Sequence, residues 1–169
     1  IAKTNNLELI QVGPFFKTVF LPYLRSLNLP NLTIASPDMG GSKRAYAYSK
    51  ALDCDVVICY KQREKANVIS YMELIGDVKG RNVILVDDMV DTAGTLTKAA
   101  DLMMERGAIS VRAICTHALL SGDAYERLEN SKLQELIVTD SIPPRRESNK
   151  VRIVTCADLF ADVMRRVHN

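Results

Sequence analysis

The chain has 169 residues, 47% of them hydrophobic, with 22 lysines and arginines against 20 aspartates and glutamates. This is the length of one ordinary domain with enough apolar content for a substantial core, and a net charge of only +2 excludes the whole-chain field that draws nucleic acid or anionic membranes. No run of about 18 apolar residues occurs and the amino end lacks the sections of a signal peptide, so a cytoplasmic address is expected, while Ile1 in place of Met suggests a piece of something longer.

At the amino end, "FFKTVFLPYLRSL" fits one amphipathic helix interrupted by Pro22. From Leu32 onward, six strand candidates follow in turn: "LTIAS", "DVVICY", "NVILVDD", "VRAICTH", "ELIVTD" and "VRIVTC". Their near-continuous apolar character suits strands covered on both faces. Helices are predicted between and after them, at Ser42 to Leu52, Thr95 to Arg106, Gly122 to Asn130 and Ala157 to Val167. In the second, Leu96, Ala99, Ala100, Met103 and Met104 make an apolar stripe and Gly107 supplies the stop. The alternation predicts an α/β fold with a parallel sheet flanked by helices.

Two stretches fall outside this pattern. Lys61 to Lys79 has no strong period and carries charge at both ends, which reads as a long mobile excursion; Ser141 to Lys150, with two prolines and mixed charges, reads as a surface loop. The four cysteines, Cys54, Cys59, Cys115 and Cys156, never form a CxxC pair, and two sit in apolar strand runs, so free buried thiols are expected.

Ligands of α/β folds bind at the carboxyl ends of the strands, and three of those ends are chemically loaded: "SPDMGGSKR", "KQREKAN" and "DDMVDTAGT". A phosphate set beside Asp87, Asp88 and Asp91 would meet like charge worth about 4 kcal/mol per pair at 4 Å and an effective dielectric of 20, against about 0.3 to 2 kcal/mol returned by a helix amino terminus. The carboxylates therefore take a divalent cation or neutral hydroxyls, and the phosphate lies further on. Thr92, Ala93, Gly94 and Thr95 lack bulk, so backbone N–H groups can converge there on an anion. A phosphorylated polyol satisfies both halves. The plainer alternative has Asp91 or Thr92 as a simple N-cap.

"VILVDDMVDTAGT" resembles the phosphoribosyl pyrophosphate motif of type I phosphoribosyltransferases, and "NLTIASPDMGGSKRA", "KQREKANV", "GDVKGRNVILVDDMVDTAGTL", "RGAISVRAICTHALLSG" and "ADVMRRVHN" resemble, in order, the carboxy-terminal half of the ribose-phosphate pyrophosphokinase family. The resemblance covers about residues 19 to 169. It implies a three-layer α/β fold of the type I phosphoribosyltransferase kind, and transfer of the pyrophosphoryl group of ATP to the 1-hydroxyl of ribose 5-phosphate, with Mg2+. By the same resemblance Lys61 and Arg63 are catalytic, Asp38 is a metal ligand, Asp87 and Asp88 hold the ribose hydroxyls, and Asp91, Thr92, Ala93, Gly94 and Thr95 hold the 5-phosphate. Without the family, Asp38 reads equally as an Asx turn leading into the Ser42 helix.

Family members assemble as homo-oligomers, commonly hexamers, from chains of two similar domains. The first domain supplies most ATP contacts and a histidine metal ligand. No histidine precedes His117 here, and residues 1 to 18 match poorly, so the chain reads as one phosphoribosyltransferase-like domain, incomplete as a catalyst alone. Two alternatives are a phosphoribosyltransferase that consumes phosphoribosyl pyrophosphate and a non-catalytic synthetase-associated regulatory subunit. No hood segment for a base is evident, and the intact "KQR" loop has a ready role with ATP. His117 reads as a loop histidine without a role.

Overall fold

The computed structural model describes residues 15–62 and 71–168. Seven strands form one sheet: β1 (Leu32–Ser36), β2 (Asp55–Gln62), β3 (Tyr71–Ile75), β4 (Asn82–Val90), β5 (Ser110–Ala118), β6 (Glu135–Thr139) and β7 (Val151–Val154). Their order is β3-β2-β1-β4-β5-β6-β7. Every neighbouring pair is parallel except β2 with β3, which is antiparallel.

That edge adds one antiparallel strand to the expected parallel sheet and corrects the reading of Lys61 to Lys79 as an excursion, since Tyr71–Ile75 inside it is a strand. An edge strand with only one neighbour needs no continuous apolar run, and "YMELI" has no fully buried residue. Residues 63–70, Arg63 among them, lie outside the described residues, as do residues 1–14.

The sheet separates two cores because alternate strand residues face opposite ways. In β4, Val83 and Leu85 join the core under α3 (Gly94–Glu105) and α4 (Ala124–Asn130), while Ile84 and Val86 join the core under α1 (Leu21–Ser26), α2 (Ser42–Leu52) and α5 (Ala157–His168). All four are fully buried, as the apolar run predicts for a strand covered on both faces. The layers are thus helix, sheet, helix. In α3 the predicted stripe holds, with Leu96, Ala99, Ala100 and Met103 buried and Met104 packed at the margin. Gly107, at φ +93°, ends it where expected.

The amino-terminal helix differs from its prediction. A π-helical turn over Phe15–Phe20 runs into α1, and Pro22 sits in the first turn of α1, where its missing N–H is harmless. Pro22 therefore begins a helix and does not interrupt one. All four cysteines are free, with Cys59 and Cys115 fully buried, and burial pushes both thiols up to about 12.

The sheet order locates the functional site. From β1 the chain winds out through β2 and β3, then returns to place β4 on the other side of β1. The crevice beyond the carboxyl ends of β1 and β4 is the switch point at which open α/β sheets hold ligands.

Candidate functional site

Beyond β1, Ser36 donates its hydroxyl to the Asp38 carbonyl at 2.6 Å, and the Gly41 N–H donates to Asp38 Oδ1 at 3.0 Å. The Asp38 side chain thus bonds three residues on, where the expected Asx turn would bond two on. Asp38 nevertheless also lines a hollow of about 200 Å³ together with Asp87 and Met89 through Leu96. Asp38, Asp87, Asp91, Thr92, Ala93, Gly94 and Thr95 are thus brought together, as their placement at strand ends requires.

Helix α3 begins without help from a side chain. Its N-cap is Ala93, in the left-handed region at φ 59°, and no side chain accepts from the first turn. The simple cap by Asp91 or Thr92 is therefore not what forms. Asp91 instead accepts a hydrogen bond from the Ser121 hydroxyl, and Arg127 of α4 donates to the Thr92 carbonyl at 3.0 Å. Both contacts hold the turn, and the residues that open the helix, Gly94, Thr95 and Leu96, line the hollow without a side-chain cap. Lys61, at the end of β2, donates to Thr95 Oγ1 at 3.0 Å and so brings a cation to the same turn.

The acidic pair is not bare. Arg44, in the first turn of α2, contacts Asp88 Oδ2 through Nη2 at 2.6 Å and Asp87 Oδ1 through Nη1 at 3.4 Å. The Asp88 N–H also donates to Asp87 Oδ1 at 2.9 Å. Burial raises the Asp87 carboxyl to about 6; the Asp88 N–H opposes that shift, the Asp88 carboxyl adds to it, and Arg44 opposes it. Sequence reasoning missed Arg44. A signal existed: the first turn of α2 carries no acid, but has Lys43 and Arg44 against the positive end of the helix dipole. Such a misfit calls for an acidic partner brought from elsewhere.

The carboxylate of Asp38, on the hollow, offers hard oxygen donors of the kind that hold a divalent cation, and no cluster of three or more potential protein ligands occurs among the described residues.

A larger hollow, about 440 Å³, opens at the opposite ends of the strands among Lys50, Asp53, Asp55, Asp77 and Arg81. Arg81 pairs with Asp55 at 3.1 Å there, and no helix amino terminus opens into it. The smaller hollow is the one with matched chemistry. His117 is placed in β5, not in a loop, and shares a hydrogen bond with Ser141 at 2.9 Å.

A hollow at the switch point, lined by Asp38, Asp87, Asp91 and an uncapped small-residue turn but not by Asp88, is joined by a family match: the model of the phosphoribosyl synthetase-associated domain covers residues 34–169. The chain belongs to that family. Among similar curated proteins, the ribose-phosphate pyrophosphokinase of Porphyromonas gingivalis is 54% identical over 97% of this chain and 56% of its own length. The ribose-phosphate pyrophosphokinase of Wolinella succinogenes is 51% identical over 89% of this chain and 49% of its own. The family chain described here thus spans about half the length of the curated relatives it matches. A crystal structure of phosphoribosylpyrophosphate synthetase from Mycobacterium smegmatis superposes with a TM-score of 0.79 at 30% identity, covering 87% of this chain and 48% of that one. Adenine phosphoribosyltransferase from Thermoanaerobacter pseudethanolicus, at a TM-score of 0.52 and 23% identity over 68% of this chain and 73% of its own, shares the fold. The expected type I phosphoribosyltransferase-like architecture is borne out.

Proposed function

We propose that this chain is the sugar-phosphate half of a ribose-phosphate pyrophosphokinase, corresponding to the carboxy-terminal domain, and that the whole protein makes phosphoribosyl pyrophosphate and AMP from ribose 5-phosphate and ATP. The observation that carries this reading is the pairing, on one 200 Å³ hollow, of the uncapped turn before α3 with the carboxylate end of β4. The first suits a phosphate; the second suits alcohols.

In this reading the amides of Gly94, Thr95 and Leu96 and the threonine hydroxyls hold the 5-phosphate, and Asp91 serves by keeping the turn in place through Ser121. Asp87 and Asp88 accept hydrogen bonds from the ribose hydroxyls. Asp38 would hold magnesium, which supplies charge neutralisation on the phosphates when bound. The 1-hydroxyl oxygen forms a bond to the β-phosphorus of ATP as the bridge to the α-phosphate breaks; AMP departs and the hydroxyl proton is released to solvent. Lys61, already at the turn, offsets charge that builds on the transferring group, with Arg63 as its companion by the family resemblance. The ATP contacts are assigned to the remainder of the longer protein, and a homo-oligomer is proposed for that protein.

Two measurements test the reading. Calorimetric titration of ribose 5-phosphate with magnesium into the chain and into Asp88→Ala should give binding in the first and a marked loss in the second; equal heats would remove the sugar site. An AMP-release assay on the full-length protein, with and without Lys61→Ala, separates an enzyme from a binding module.

A further inference from the structure

We propose that Arg44 is a positioning residue that selects the sugar: its guanidinium takes one oxygen of each of Asp87 and Asp88, leaving the other oxygen of each for two neighbouring ring hydroxyls. The proposal deepens the reading of the acidic pair as ribose-hydroxyl acceptors and rests on it.

The contacts divide the four carboxylate oxygens evenly. Nη2 takes Asp88 Oδ2 at 2.6 Å and Nη1 takes Asp87 Oδ1 at 3.4 Å, the latter oxygen also receiving the Asp88 N–H at 2.9 Å. Among the described residues, no other residue's ion pair or side-chain hydrogen bond is made to Asp87 Oδ2 or Asp88 Oδ1, and the two carboxyls lie within hydrogen-bond reach of each other. One acceptor therefore remains on each of two successive residues, a pattern for a vicinal diol. A rigid planar fork can span two carboxylates in this way, whereas an ammonium acts as a single point charge.

The surroundings favour the fork as a built feature. Arg44 and Asp87 side chains are only 26% and 23% exposed, while Asp88 is 46% exposed, so the Asp87 arm of the fork is partly withdrawn from solvent.

The test compares wild type, Arg44→Gln and Arg44→Lys in calorimetric titrations with ribose 5-phosphate, 2-deoxyribose 5-phosphate and inorganic phosphate, at fixed magnesium. Wild type should prefer ribose 5-phosphate to its deoxy analogue. In Arg44→Gln, ribose 5-phosphate affinity should fall roughly 10- to 100-fold, the range of one lost charge-assisted hydrogen bond, with the deoxy sugar much less affected and phosphate unchanged. Arg44→Lys should lie between. A brace that merely joins α2 to β4 would weaken all three ligands together; that result, or a ribose-to-deoxyribose ratio unchanged in both variants, overturns the proposal. Thermal melts identify a variant that fails to fold, and Arg44→Lys then decides by its ratio alone. If wild type itself binds no sugar phosphate, the functional reading fails as a whole, an outcome distinct from intact discrimination in the variants.

Discussion

Replacing Gly41 with alanine asks how much of the site's order rests on one missing methyl group. Gly41 has φ −83°, which any residue tolerates, so the penalty is purely one of contact. The new Cβ would lie 2.5 Å from Ser36 Oγ, a separation that cannot stand, and the hydroxyl must leave its 2.6 Å bond to the Asp38 carbonyl. Ser36 is fully buried, so a displaced hydroxyl has no water to turn to; an unsatisfied buried group costs about 1–3 kcal/mol and overpacking another ~1–3 kcal/mol. The stiffer unfolded chain returns about 0.4–1 kcal/mol. The net expectation is a loss near 3 kcal/mol, read by equilibrium urea denaturation. The reasoning also requires rescue. With Ser36→Ala the obstructing oxygen is gone, so adding Gly41→Ala should cost about 1 kcal/mol or less, a coupling of about 2 kcal/mol in the double-mutant cycle. A Gly41→Ala loss below about 0.5 kcal/mol, or simple additivity in the cycle, would refute the steric account.

Asp87, raised to about 6, gives opposite pH trends for ligand and fold. Ribose 5-phosphate affinity should weaken as pH falls through about 6, where the carboxyl gains a proton, with inorganic phosphate as the control for the ligand's own titration. Stability runs the other way: a raised folded pKa favours the fold fully below the ordinary carboxylate range, and that contribution is lost as pH rises through about 6. Asp87→Asn should remove this part of the pH dependence of the urea midpoint, and an unchanged profile would contradict it. At the far side of the sheet, Asp140 accepts from Cys156 Sγ and Cys156 N, both at 2.9 Å, and from Thr155 Oγ1 at 2.7 Å. Those hydrogen bonds, the Cys156 thiol first, lower its carboxyl to about 2. Asp140→Asn should cost about 1 kcal/mol at neutral pH, as for a lost helix cap, and the difference from wild type should vanish as pH falls through about 2.

The parts of the molecule that could be read from the chain are those whose causes are local. "NVILVDD" shows its burial in consecutive apolar residues, α3 shows its face in Leu96, Ala99, Ala100 and Met103, and Gly107 marks the stop because few other residues accept its backbone. Asp38, Asp87 and the Met89-to-Thr95 run converge because they lie at or beyond the carboxyl ends of strands that meet at one switch point. What escaped depends on partners distant in sequence. Strand β3 exists through its ladder with β2, from Ile58 paired with Ile75 to Gln62 paired with Tyr71, and its own residues show little apolar contrast. Arg44 meets Asp87 across 43 positions. Its only local trace is an unfavourable charge at the start of a helix, which becomes meaningful once β4 is known to lie beside α2.

The left-handed Ala93 has an evolutionary consequence. An aspartate or serine that closed the first turn of α3 would give a sturdier helix, by about 1 kcal/mol for an effective cap. It would also place a resident occupant where a visiting anion belongs. Thermostabilising selection acting on this chain should therefore spare the start of α3 while improving its other helix ends, because here robustness and receptivity draw on the same few amides.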